Sequence, residues 1–385
     1  MSAFSRAKRS GRVRSTSRRT GLVGVATILA FVLGAAGPGA SSAQAAANPA
    51  KLVTKIRLGP SPFTPILAGV GVDTATGKVY VAAYNPAFSN EGYVYVVHGD
   101  NVEATIHVCP NANGVAVDSN TDMIYVNCRT IDGFSVVPAV YVINGRTNRI
   151  SAVIKGIIGI GPMALDAKTG LLYLAGYNVE SVSVVNMRTN KFVTNLTVPY
   201  PTAIAVDPAT NTIYPNPEGT VSVINGKTNA VTTPFTTALT KAAATAAGGI
   251  AVDDTTDTVY FTGTSTGGAF GLWSINARTH KLAHPLNFGV GYTLISNGLE
   301  VGPGTNTIYA IGTSASGVAG APGTLVIINA RTKKVTATFD GVDSPGALAV
   351  DPTNGNVYVT GTVAVPATDL TIGHNQGYLY VVHVA

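Results

Sequence analysis

The stretch Ala205-Val206-Asp207-Pro208-Ala209-Thr210-Asn211-Thr212-Ile213-Tyr214 decides the fold. An apolar run ends in Asp, a polar turn follows, and a second apolar run carries Tyr seven residues after the acid. The same figure returns as Asp73 to Tyr80, Asp118 to Tyr125, Asp166 to Tyr173, Asp253 to Tyr260 and Asp351 to Tyr358. A seventh copy, Gly302 to Tyr309, keeps the spacing and lacks the acid. Successive anchors lie 45, 48, 41, 46, 49 and 49 residues apart, the period of a propeller or a solenoid.

Each repeat reads as four strands. The first ends at the anchor, as in Gly114-Val115-Ala116-Val117-Asp118, and the second carries the Tyr, as in Met123-Ile124-Tyr125-Val126-Asn127. The Thr, Asn, Asp and Gly between them are hairpin residues, and the anchor Asp can accept hydrogen bonds from backbone N–H groups of that turn. A third strand alternates with period two, as in Val140-Tyr141-Val142-Ile143, and ends in Asn144-Gly145-Arg146-Thr147-Asn148. Similar turns follow at Asn186, Asn225, Asn276 and Asn329, each leading into a fourth strand such as Arg149 to Ile154. Four antiparallel strands per repeat make one blade.

The ends give the count. The chain stops in a third strand, Tyr380-Val381-Val382-His383, and opens after its leader with Leu52-Val53-Thr54-Lys55-Ile56-Arg57-Leu58, a fourth strand with no blade before it. Joining the two completes a seventh blade and removes the open edges that an unclosed array would expose. The predicted fold is all-β, a seven-bladed propeller closed by the N-terminal strand.

This pattern of apolar-Asp-turn-Tyr-Val, then Val-x-Val-Ile-Asn-x-Arg-Thr-Asn-Lys-Val, resembles the YVTN-type β-propeller repeat over residues 51 to 385. Tyr358-Val359-Thr360-Gly361 and Tyr125-Val126-Asn127-Cys128 come nearest to its naming tetrapeptide. The resemblance implies a secreted or surface-exposed bacterial propeller. It implies no particular reaction, since one fold serves many functions.

Residues 1–45 read as a cleavable signal peptide. Seven basic residues from Arg6 to Arg19 precede an apolar stretch, Leu22 to Ala36, and a small-residue ending, Ala43-Gln44-Ala45. Sec export is expected, and Ser17-Arg18-Arg19 offers a twin-arginine alternative. The whole chain carries 25 basic and 19 acidic residues; without the leader the balance is 18 against 19, a net charge of −1. That removes the basic footprint nucleic acid requires, and a membrane span after signal removal is not expected. Cys109 and Cys128, an even and close pair in an exported chain, are predicted to form a disulfide.

Connections from the second strand to the third, and from the fourth to the next blade, emerge together on one face. They are long at 84–92, 129–138, 263–270, 313–323, 362–377 and 235–249, which marks that face as a binding surface. A residue type recurring at one blade position is scaffold, and a singleton in a long loop is a candidate. The seven Tyr therefore read as packing. Glu91, Asp132, Asp369 and His374 are the candidate binding residues, His374 being read as loop-borne. Glu91, Asp132, Asp340 and Asp343 are carboxylates of the kind that bind Ca²⁺, but none lies in a dense Asp-x-Asp pattern, and no cofactor is expected. HExxH and P-loop motifs are missing, and no catalytic residue is assigned.

The reading that follows is a monomeric binding or scaffold module for a protein, carbohydrate or cell-envelope partner. The alternative is a lactonase-like hydrolase or lyase with its site at the channel mouth, and a quinone or copper redox protein would need inward-facing His that the chain lacks. Convergence of three or more acids or histidines on the mouth separates the enzyme from the binding module.

Overall fold

A computed structural model describes residues 50–59, 65–85, 91–132, 135–217, 220–235, 245–264, 270–279, 281–287, 292–314, 322–365 and 374–384. The strands all fall within the compact unit Ala43–Ala385 and form seven four-stranded sheets.

Blade one is β2 (Ile66–Asp73), β3 (Lys78–Tyr84), β4 (Gly92–His98) and β5 (Asn101–Val108). Blade two is β6 (Val115–Asp118), β7 (Met123–Asp132), β8 (Ser135–Asn144) and β9 (Arg149–Ile154). Blade three is β10 (Met163–Asp166), β11 (Leu171–Ala175), β12 (Val182–Asn186) and β13 (Lys191–Leu196). Blade four is β14 (Pro201–Asp207), β15 (Thr212–Pro217), β16 (Val223–Asn225) and β17 (Val231–Thr232). Blade five is β18 (Thr245–Asp253), β19 (Thr258–Thr264), β20 (Phe270–Asn276) and β21 (Leu282–Asn287). Blade six is β22 (Tyr292–Gly302), β23 (Thr307–Ser314), β24 (Pro322–Asn329) and β25 (Lys334–Asp343). Blade seven joins β26 (Leu348–Asp351), β27 (Asn356–Val365) and β28 (His374–His383) to β1 (Lys51–Leu58).

Closure by the first strand is as predicted. β1 runs antiparallel to β28, with Lys55 opposite Tyr380 and Leu58 opposite Gly377. Ile56 and Leu58 point into the core between blades seven and one, beside Val70, Val81, Leu379 and Val381.

The inner hairpins show why the repeat carries its Asp. Asp207 Oδ1 accepts from Ala209 N at 2.9 Å and its Oδ2 from Thr210 Oγ1 at 2.7 Å. Asp73, Asp118, Asp166, Asp253 and Asp351 make equivalent bonds to their own turns, so the acid is spent locally. The last turn residue before the Tyr strand is left-handed in every blade: Gly77, Asp122, Gly170, Asn211, Asp257, Asn306 and Gly355, with φ between 49° and 75°. Gly, Asn and Asp tolerate that conformation best.

Seven apolar clusters fill the seven clefts between adjacent blades. Each repeated Tyr belongs to the cluster its blade shares with the next, as Tyr125 packs with Leu172 and Val185 of blade three. In two blades its hydroxyl bonds to the following blade's outer turn: Tyr125 Oη donates to Met187 O at 3.4 Å, and Tyr260 Oη to Ala330 O at 3.4 Å. The Tyr set is inter-blade packing, as its recurrence implied.

The disulfide is present, with the Cα atoms of Cys109 and Cys128 5.8 Å apart. Cys109 follows the outer strand of blade one and Cys128 lies in β7, so the bond ties two blades together beneath buried surface.

The long connections differ from expectation. Residues 129–132 pair with 135–138 and 362–365 with 374–377: Arg129 faces Pro138, Asp132 faces Ser135, and Val365 faces His374. His374 thus opens β28 and is not loop-borne. The connection expected at 129–138 instead continues the hairpin, which is rich in β-branched Thr130, Ile131, Val136 and Val137 and runs on past Pro138 to the pair Asp132–Ser135. Asp340 and Asp343 also lie in a strand, β25, where Asp340 accepts from Thr324 Oγ1 at 2.6 Å.

Candidate functional site: the channel and its mouth

In every sheet the inner strand is an edge strand, with no partner on the axial side. Seven free edges of N–H and C=O groups therefore surround the axis, and their side chains lean sideways into the clefts. The channel they surround has a volume of about 290 Å³. At the position three before each anchor stand Val70, Val115, Met163, Ile204, Ile250, Leu299 and Leu348, and all seven line it.

One lining residue breaks the apolar series. Glu300, in β22, accepts a hydrogen bond from the backbone of Val350 in the next blade. Its Oε2 is buried without a hydrogen-bond partner among the described residues. The side chain keeps some surface open and lines the channel. Burial pushes its carboxyl up to about 8, against the opposing effect of the Val350 bond. Tyr309, directly opposite Glu300 in β23, is also raised, by burial first and by the nearby carboxylate among lesser causes.

Above the channel is a wider cavity of about 440 Å³, lined by Leu67, Tyr84, Asn113, Gly161, Pro162, Tyr177, Asn178, Thr202 and Gly346 among others. Pro162 lines both spaces, so the two are adjacent. This mouth is on the face of the inter-blade connections. Tyr177 and Tyr200 there are 50% and 54% exposed, and Ile66 and Ile158 are exposed as well. The other exposed large apolar side chains among the described residues lie on outer strands β1, β5, β9 and β13. The opposite face, built from the tight turns, has none among the described residues.

Backbone geometry separates the two faces again. Eight of the positive-φ residues other than glycine sit in the repeated turns, and the remaining four are Asn111, Asn178, Tyr200 and Ser344. These four all lie in connections on the mouth face. Tyr200, at φ 37°, is a residue type that rarely adopts this conformation, and such outliers concentrate at ligand-contacting segments.

The backbones of Glu91, Asp132 and His374 belong to blades one, two and seven respectively. Glu91 accepts from Tyr93 Oη, which together with burial holds the Tyr93 phenol up at about 12, and the Tyr93 ring meets His107 edge-on at 5.4 Å. Asp132 ends β7 in blade two and His374 begins β28 in blade seven, while Asp369 lies outside the described residues. No group of three or more His, Cys, Asp or Glu stands ready for a metal among the described residues. Glu300 was missed because singletons were sought only in long loops. Comparing inner strands across repeats would have found it.

No family model matches the chain, and no curated protein matches its sequence. Solved structures do match in fold. The chain is similar to the WD40 repeats of RRP9, with a TM-score of 0.61 at 10% identity over 87% of this chain and 100% of that one. U3-55K gives a TM-score of 0.58 at 10% identity over 86% and 99% of the two chains. Hydrazine synthase of Kuenenia stuttgartiensis gives 0.52 at 13% identity over 70% and 79%. At these identities the likeness is one of fold.

Proposed function

We propose that the protein is an exported propeller that binds a partner protein through the mouth face. The observation that carries this reading is the segregation of exposed Ile66, Ile158, Tyr177 and Tyr200 to that face. Exposed aromatic and aliphatic side chains around a concavity are what a protein interface uses as anchors. The likeness to WD40 repeats supports a scaffold role by analogy of fold. Acids and histidines do not converge on the mouth among the described residues, which favours binding over the lactonase-like alternative.

Export is supported by the N-terminal layout of basic, apolar and small residues and by the Cys109–Cys128 bond, which persists in oxidising compartments. No helix among the described residues is long and apolar enough to cross a membrane. The YVTN-type repeat is the family this reading assigns, on the recurring blade motif.

The test is photo-crosslinking in the producing cells, with a benzophenone side chain placed at Tyr177 on the mouth face or at Arg188 on the turn face. Discrete protein adducts from position 177 and none from 188 are expected. Equal yields from both, or adducts from 188 alone, would refute the assignment of the face.

A further inference from the structure

The mouth cavity has a chemistry of its own. No Asp, Glu, Lys, Arg or His lines it among the described residues. Its polar side chains are the phenols of Tyr84 and Tyr177, the amides of Asn111, Asn113 and Asn178, and the Thr202 hydroxyl. Thr202 Oγ1 already donates to Asn216 O at 2.8 Å, so phenols and amides supply the donors for a ligand. The rest of the lining is apolar or glycine, with Leu67, Ile160 and Pro162 its largest side chains. At about 440 Å³ the space lies within the range of ligand pockets, roughly 300–1,000 Å³.

The walls are held in place by the fold. Tyr177 and Asn178 stand on a loop pinned by its own backbone: Gly176 N donates to Ser181 O at 2.8 Å, Val179 N to Gly176 O at 2.9 Å and Ser181 N to Val179 O at 2.9 Å. Two further connections are clipped by one buried amide. Asn127 in β7 accepts from Gly114 N at 2.6 Å and donates from Nδ2 to Gly161 O, which fixes the neighbouring Asn113 and Pro162 relative to each other. Thr360 in β27 holds Gly346 likewise: Gly346 N donates to Thr360 O at 2.9 Å and Ala347 N to Thr360 Oγ1 at 2.9 Å. Walls fixed before a ligand arrives cost little to order on binding.

We propose that this cavity receives an uncharged, proline-rich stretch of the partner protein in the polyproline II conformation, a reading that rests on the mouth being the partner-binding face. A charged segment would lose its water here and meet no counter-charge. Polyproline II backbone makes no hydrogen bonds of its own, and proline has no N–H, so such a segment presents carbonyl acceptors and apolar rings. The cavity presents the complement: amide and phenol donors beside aromatic and aliphatic surface, as in the aromatic-lined grooves that take proline-rich ligands. The apolar surface continues outwards. Exposed Ile66 adjoins the lining residue Leu67, and exposed Ile158 stands two residues before the lining residue Ile160. A chain that is apolar along its length and leaves over the rim fits that continuity better than a saccharide, which is polar around its edge.

The experiment is calorimetric titration of the purified protein with blocked decaproline, with a blocked glycine–serine peptide of the same length, and with maltotriose. Decaproline should bind one to one, and neither control should saturate over the same range. Tyr177→Ala and Asn178→Gly should each weaken it at least about tenfold while keeping the melting transition. Glycine suits the second variant because Asn178 has a left-handed φ of 66°, which glycine keeps while removing the amide. Undiminished binding by both variants, equal binding of the glycine–serine peptide, or binding of maltotriose alone overturns the proposal. Protein adducts from a benzophenone at position 177 without any binding of decaproline would also overturn it, while leaving the protein-partner reading intact.

Discussion

Lys55 Nζ lies 3.3 Å from Asp343 Oδ2, joining the first strand of the chain to the outer strand of blade six. The ammonium also sits 4.2 Å from the ring centre of Tyr378 and 4.8 Å from that of Tyr380, and Tyr380 Oη donates to the same Asp343 oxygen at 2.7 Å. Burial pulls the Lys55 ammonium down, but its bonds to Tyr380 and Asp343 outweigh that and hold it above its ordinary value. Ring closure is therefore clasped at its seam by side chains as well as by backbone pairing.

Both members of that ion pair are about one-third exposed, so the charge pair alone contributes little. Two cation–π contacts add to it. Lys55→Ala should cost about 1 kcal/mol, lowering the melting temperature by a few degrees, and the loss should shrink when Lys55→Met retains the stem over the rings. Calorimetry of the two variants checks it.

Asp207→Ala removes acceptors from Ala209 N, Thr210 N and Thr210 Oγ1, and should cost about 1–3 kcal/mol in thermal unfolding. Gly302→Asp should do the reverse. Thr305 Oγ1 now donates to Gly302 O at 2.9 Å, and it occupies the place from which Thr210 serves Asp207. With that hydroxyl rotated towards a new carboxylate, and glycine's backbone freedom removed, a gain of about 1 kcal/mol is expected. A lower melting temperature for Gly302→Asp would show that blade six cannot accept the motif.

Glu300 gives the fold a pH dependence of definite sign. Its folded value, about 8, lies above the ordinary 4.5, so between those values the native state binds a proton the unfolded chain releases. This contribution is fully present below the lower value and is lost as pH rises towards the upper one, at no more than about 1.4 kcal/mol per pH unit. Glu300→Gln should flatten that decline. Denaturant melts of both proteins across the interval provide the comparison; parallel curves would contradict it.

How much of this was written in the chain depends on whether a feature repeats. Asp207 and Tyr214 are legible because six further copies show what spacing the blade tolerates, and Asx-turn chemistry explains the acid without any ligand. Strand β1 was legible because an unpaired fourth strand at one end matches an unfinished blade at the other. The hairpin extension at 129–138 was not, because Pro138 carries a local strand-breaking signal while the pairing of Thr130 with Val137 depends on the partner strand. Glu300 was visible but unread. Its meaning lies in the close approach of Val350, which no single strand reveals.

Channel, mouth and the enclosure of Glu300 exist only if the ring is shut by β1. The most direct test is thermal unfolding of the chain with residues 51–58 deleted. Exposing the surfaces that Ile56 and Leu58 cover, each worth about 1.5–3 kcal/mol, and leaving β28 unpaired should lower the melting temperature by roughly ten degrees. A synthetic peptide of residues 50–59 should restore part of the loss. A melting curve identical to that of the intact chain would contradict the closed ring.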